Sequence, residues 1–215
     1  MSELSPYLQK VMAGQIKVAT NLVRAIAVVI SLRLVFIIDR SLSMAEACGR
    51  TNRIDAAKNA ISALLDVRRK LGADDEIAVI SFNDAAQLVL PFTGIRESNR
   101  IQKAVRSIWP EGGTDLKPAI NRISDILPDP AGAYIIVLSD GHCGDPIRAA
   151  KALKNKGAII ETIGVGNIPA DVDAEKLIKV ASVQNGQALY RFLTNADELL
   201  DYFRKDIAGR LAKRG

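Results

Sequence analysis

Residues 35–44 read VFIIDRSLSM. Four apolar residues run straight into Asp39, and two hydroxyls follow at alternate positions, Ser41 and Ser43. The apolar run reads as a buried strand. Its termination in a carboxylate, followed at once by hydroxyls, is unusual for a segment that serves packing alone. Oxygen-bearing side chains gathered where a buried strand ends suggest a binding loop, and the rest of the sequence tests that suggestion.

Similar apolar runs recur along the chain. Residues 76–82 (EIAVISF), 133–139 (AYIIVLS) and 158–165 (AIIETIGV) suit central strands of a parallel sheet, buried on both faces. Residues 86–92 (AQLVLPF) follow the short Asn83-Asp84 turn and read as the second strand of a hairpin. Pro91 directs that strand to a sheet edge, because proline cannot donate to a ladder. A final short strand is expected near 187–192. Helical periodicity fills the intervals. In 52–70, Ile54, Ala57, Ile61, Leu64, Leu65 and Val67 fall largely on one side, with Gly72 beyond as a stop signal. Further helices are expected at 98–108, 116–127, 146–155, 173–182 and about 195–212. Strands alternating with helices predict a doubly wound (Rossmann-like) α/β fold. The expected sheet is six-stranded and mostly parallel, with 86–91 as one antiparallel edge strand and helices on both faces.

In such sheets ligands bind beyond the carboxyl ends of the strands. Asp39 ends one central strand and Asp140 follows another, in IIVLSDG. Alternate residues of an extended loop can face one side, which would bring Asp39, Ser41 and Ser43 together. In EGGTDL, residues 111–116, two glycines permit close backbone approach and deliver Thr114 ahead of a helix. Two carboxylates and three hydroxyls make a hard oxygen set without His or Cys. It suits Mg²⁺, or less specifically Mn²⁺, rather than zinc. The competing reading is that these five residues only cap helices and turns.

Here a resemblance becomes specific. DRSLS fits the Asp-x-Ser-x-Ser signature of von Willebrand factor A (VWA), or integrin I-like, domains, and Thr114 and Asp140 match that family's second and third metal-binding loops. The order and spacing fit from residue 33 to about 205. The resemblance implies a metal-ion-dependent adhesion site, with Ser41, Ser43 and Thr114 as hydroxyl ligands and Asp39 and Asp140 acting directly or through water. Leu42 stands where many relatives carry glycine, which puts an apolar side chain near the binding face. The implied function is a protein–protein interaction module of prokaryotic intracellular type, whose Mg²⁺ recruits an acidic residue of a partner. Family resemblance further suggests an AAA+ ATPase or a signalling assembly as that partner.

An enzyme is not expected. There is no Gly-x-Ser-x-Gly elbow and no Asp-x-Asp phosphatase loop, and GVGNIP at 164–169 is no dinucleotide fingerprint. An EF-hand fails because Met44 and Arg50 stand where glycine and glutamate are required. A metal-assisted hydrolase using Ser41 or Ser43 with the only histidine, His142, is the remaining catalytic alternative.

The 215 residues carry a net charge of +5 with basic residues dispersed, so nucleic acid is not an expected partner. Hydrophobic residues make up 48% and aromatics 5%, so Ala, Ile, Val and Leu must fill the core. Two cysteines do not make a disulfide scaffold, and the first residues do not read as a secretory signal. A cytoplasmic location is expected. Residues 1–31 read as a helical extension preceding a domain at 32–215. Between 6 and 31, Met12, Ile16, Ala19, Leu22, Val23, Ile26 and Ile30 recur at helical spacing, which suggests packing on the domain or self-association. A membrane surface is the less favoured occupant of that face. Cys48, His142 and Cys143 are expected close to the metal face, with both thiols free and reactive.

Overall fold

The computed structural model describes residues 31–140 and 144–214. The amphipathic face expected within 6–31 and the expected positions of His142 and Cys143 lie outside the described residues.

Six strands form the main sheet: β1 (Arg33–Asp39), β2 (Glu76–Phe82), β3 (Ala86–Gly94), β4 (Tyr134–Ser139), β5 (Ile159–Val165) and β6 (Tyr190–Leu193). Their spatial order is β6-β5-β4-β1-β2-β3. All neighbours are parallel except β2 and β3. The expected six-stranded sheet with one antiparallel edge is therefore observed. Val79 pairs with Leu90 and Ile77 with Thr93, so the register shifts around Pro91. Proline, which has no N–H to give, thus sits at an edge-strand irregularity.

The chain leaves β1 outward to β2 and β3, then returns to lay β4 against the other side of β1. This reversal opens a crevice between the carboxyl ends of β1 and β4. Both faces of the sheet are covered. Leu34, Phe36 and Ile38 of β1 belong to one core with Ile54, Ala57, Ile61 and Leu64 of α1 (Arg53–Lys70) and with Phe203 and Ile207. Val35 and Ile37 belong to a second core with Leu116, Ala119 and Ile120 of α3 (Leu116–Ile126) and Ala150 and Leu153 of α4 (Ile147–Asn155). The two-residue period of a strand assigns alternate side chains to opposite cores, so β1 reads as a continuous apolar run. The remaining helices are α2 (Ser98–Arg106), α5 (Ala174–Val180), α6 (Ala196–Asp201) and α7 (Ala208–Ala212).

Two features differ from the expected outline. The C-terminal helix is not uniform: α6 passes into α7 through a widened π-helical segment, Tyr202–Ile207. That segment carries Tyr202, whose hydroxyl donates to buried Glu161 of β5 at 2.7 Å. Tyr134 and Arg210 also donate to Glu161, and the cluster ties the last helices to the sheet. The final strand starts at Tyr190 rather than 187, because Gln187 and Ala188 pair with Val183 and Gln184 in a small hairpin. Its Asn185-Gly186 turn has positive φ at both residues, the geometry a two-residue hairpin favours.

Candidate metal-binding site

Asp39 closes β1 and is fully buried. Its Oδ2 accepts from the Ser139 hydroxyl at 2.6 Å, and its Oδ1 accepts from the Ser41 N–H at 2.8 Å. The loop that follows is not extended as expected. Ser41 has extended backbone angles and a 3₁₀ turn, Leu42–Ala45, begins directly after it. The turn closes with the Met44 N–H donating to the Ser41 carbonyl at 3.0 Å, and buried Met44 anchors it in the core. This turn brings the Ser41 and Ser43 hydroxyls to 3.1 Å from each other. The Ser43 hydroxyl also donates to Asp140 Oδ2. Asp140 itself is buried, and among the described residues its Oδ1 has no hydrogen-bond partner.

The loop carrying Thr114 is fastened to the same edge. The Glu111 N–H donates to the Arg40 carbonyl at 2.6 Å, and the Leu42 N–H donates to the Gly112 carbonyl at 3.2 Å. On its other side the Gly113 N–H donates to Asp84 Oδ2 at 2.8 Å. Gly112 has a φ of +75°, which favours glycine, and a Cβ on Gly113 would meet Asp84 Oδ1 at 2.4 Å and displace that carboxylate. Thr114 is half-buried, and its hydroxyl makes no hydrogen bond among the described residues. The structure thus links Asp39, Ser41, Ser43 and Asp140 through a chain of hydrogen bonds and pins the Thr114 loop beside them. Leu42, between the two serines, is 65% exposed.

Among the described residues no group of three or more His, Cys, Asp or Glu side chains could hold a metal ion. The five expected residues belong to a different class, in which hydroxyls outnumber carboxylates. Cys48 is buried and burial raises its thiol pKa, which corrects the expectation of a freely reactive group.

Electrostatics mark Asp39 as the strained member. Burial pushes its pKa up from 3.8 to about 6; the Ser139 and Ser41 hydrogen bonds oppose the rise, and Asp140 adds to it. The native state therefore holds this proton more tightly than the unfolded chain does. The associated stability is fully present below about pH 4 and is lost as pH rises through about 6. In chelator, wild type should lose roughly 3 kcal/mol relative to Asp39→Asn between pH 4 and 7.5. Denaturant titrations of both proteins across that range provide the measurement, and parallel pH profiles would contradict the assignment.

The sequence matches the von Willebrand factor type A domain family over residues 34–142, a segment that takes in Asp39, the Thr114 loop and Asp140. This chain belongs to the von Willebrand factor type A family. No curated protein matches it significantly. Among solved structures, the conserved hypothetical protein BatB from Bacteroides thetaiotaomicron shares 24% identity with a TM-score of 0.68, covering 86% of this chain and 98% of that one. A von Willebrand factor type A protein from Catenulispora acidiphila shares 24% identity with a TM-score of 0.67, over 83% of this chain and 42% of that one. The pilus adhesin SpaC from Lactobacillus rhamnosus GG shares 15% identity with a TM-score of 0.71, over 85% of this chain and 31% of that one. The chain thus spans less than half the length of the latter two proteins. These likenesses establish the VWA fold. Among the described residues no helix is long and apolar enough to cross a membrane.

Two residues at the VWA site were missed in the sequence. Ser139 was passed over as the last residue of an apolar strand, although its hydroxyl fixes Asp39. Arg53 was passed over as part of an amphipathic helix, although it is almost fully buried at 2% exposure. A signal existed for the second: a basic residue in the first turn of a helix opposes the helix dipole, so it needs a compensating partner.

Proposed function

We propose that this VWA domain is a divalent-cation-dependent protein-binding module without catalytic turnover. Asp39, Ser41, Ser43, Thr114 and Asp140 would hold Mg²⁺, with Mn²⁺ as a substitute. The observation that carries this reading is the buried Oδ1 of Asp140, without a partner among the described residues, beside the clustered Asp39, Ser41 and Ser43. A buried carboxylate oxygen without a donor is costly, and a bound cation or its water would satisfy it. Mg²⁺ seeks six oxygens and retains water readily, so hydroxyls and partly screened carboxylates leave a position for an outside ligand. A carboxylate from a partner protein fits that position in charge and hardness. Adhesion by the pilus protein that shares this fold is in keeping with a binding role.

The test is affinity capture with the full chain as bait, in Mg²⁺ and in chelator, beside an Asp39→Ala bait. Proteins retained by wild type in Mg²⁺ should be lost both in chelator and with the variant. Equal retention in all three conditions would rule out cation-dependent recognition through this site.

A further inference from the structure

Arg53 opens α1 just beyond the Ser43 turn, and its guanidinium meets three separate segments. One amino group lies 2.9 Å from Glu46 Oε2 and 3.0 Å from Asp171 Oδ2. The other lies 3.6 Å from Asp140 Oδ2 and 3.5 Å from the Ser43 carbonyl. Asp171 belongs to the loop after β5 and accepts the Asn167 N–H at 2.8 Å. The Asp173 N–H in that loop donates to the Asp140 carbonyl at 3.2 Å. A buried guanidinium is expensive unless charge and geometry compensate it. Its position at a helix N-terminus adds to the cost. Here the compensation comes from carboxylates on either side of Asp140.

The division of labour at Asp140 is informative. Ser43 and Arg53 both address Oδ2, while Oδ1 is buried and has no partner among the described residues. We propose that Arg53 is a positioning residue of the cation site: it holds the Asp140 carboxylate by Oδ2 and so keeps Oδ1 available to the ion or to one of its waters. This rests on the reading of the site as a divalent-cation site. Groups that orient a ligand commonly command about 10–100-fold in metal affinity. Charge alone predicts the opposite sign, because removing a nearby cation should strengthen Mn²⁺ binding. The two effects are therefore separable.

Mn²⁺ binding is measured by the spin-resonance signal of the free ion, for wild type, Arg53→Met, Arg53→Lys and Asp171→Asn, with melting in chelator as a check of folding. Arg53→Met should weaken Mn²⁺ binding about tenfold or more. Arg53→Lys should also weaken it, since a point charge cannot reproduce the planar fork. Lys also serves as the second variant should Arg53→Met not fold. Asp171→Asn loosens the neighbouring loop but leaves the Asp140 contact, and should change affinity less than about threefold. Unchanged or tighter binding by both Arg53 variants would overturn the proposal. Equal losses in Asp171→Asn and Arg53→Met would also overturn it, by attributing the effect to general loosening. A wild type that binds no Mn²⁺ would instead overturn the cation reading itself, and this inference with it.

Discussion

Replacing Asp39 by alanine should remove Mg²⁺ and Mn²⁺ binding while the domain stays folded. Asp39 contributes, with Asp140, a buried carboxylate at the crevice, and its oxygens orient Ser139 and Ser41. Outer partners of a metal ligand already command about 10–100-fold in affinity, so loss of a carboxylate at the site should exceed about a hundredfold. The fold should survive because the deleted charge is strained in the metal-free protein, with its pKa pushed up to about 6 by burial. What remains is a hydroxyl and an N–H at the end of β1, both small enough to find water. Titration calorimetry reads the affinity and circular dichroism the fold. A variant that binds Mg²⁺ as wild type does would sink the site assignment.

The largest effect on stability is expected at the opposite end of the sheet. Arg68, in the last turn of α1, grips Asp75 just before β2: Nε meets Oδ2 at 2.7 Å and the second nitrogen meets Oδ1 at 2.8 Å. Asp75 Oδ1 also accepts the Leu32 N–H at 3.0 Å, at the entry to β1. Both side chains are buried, at 4% and 0% exposure. Asp75→Ala would strand a buried guanidinium and an amide, a loss of about 3–5 kcal/mol. Against a total of roughly 5–15 kcal/mol, that is a large fraction of the stability of a domain. Removing both partners, with Arg68→Met and Asp75→Leu together, should restore much of it, because no unpaired charge remains. Denaturant unfolding of the single and double variants measures this. A loss below about 1 kcal/mol in Asp75→Ala would show that water reaches the guanidinium.

Much of this was legible before any coordinates. The apolar runs located the strands because a strand buried on both faces has no polar face to show, as β1 illustrates with its two cores. Pro91 marked the antiparallel edge because a missing N–H is tolerated there. The pair Gly112 and Gly113 announced a close approach, and the structure supplies the object approached, Asp84. Helix boundaries at 53–70 and 116–126 fell within a residue of expectation, since Asn52 and Asp115 cap them through local hydrogen bonds.

Other features depended on partners distant in the chain. Asp75 is a buried anchor, and only the packing of α1 brings Arg68 to it. Arg53 read as one more polar residue of an amphipathic helix and is a buried positive charge beside the site, at 2% exposure. The π-helical segment begins at Tyr202, which donates to Glu161 on β5, a contact that no local propensity expresses. The hydroxyls of Ser41 and Ser43 converge through a 3₁₀ turn, held by Met44 entering the core, rather than through an extended loop. The sequence by itself determined the order of strands and helices, the edge strand and which five oxygen-bearing side chains are candidates for the site, because each is written in local periodicity or in a compact motif. The tertiary structure alone decided which atoms of those side chains are satisfied. Burial, the pairing of Ser139 with Asp39 and the fork of Arg53 arise only when segments separated by up to 118 residues share one low-dielectric crevice.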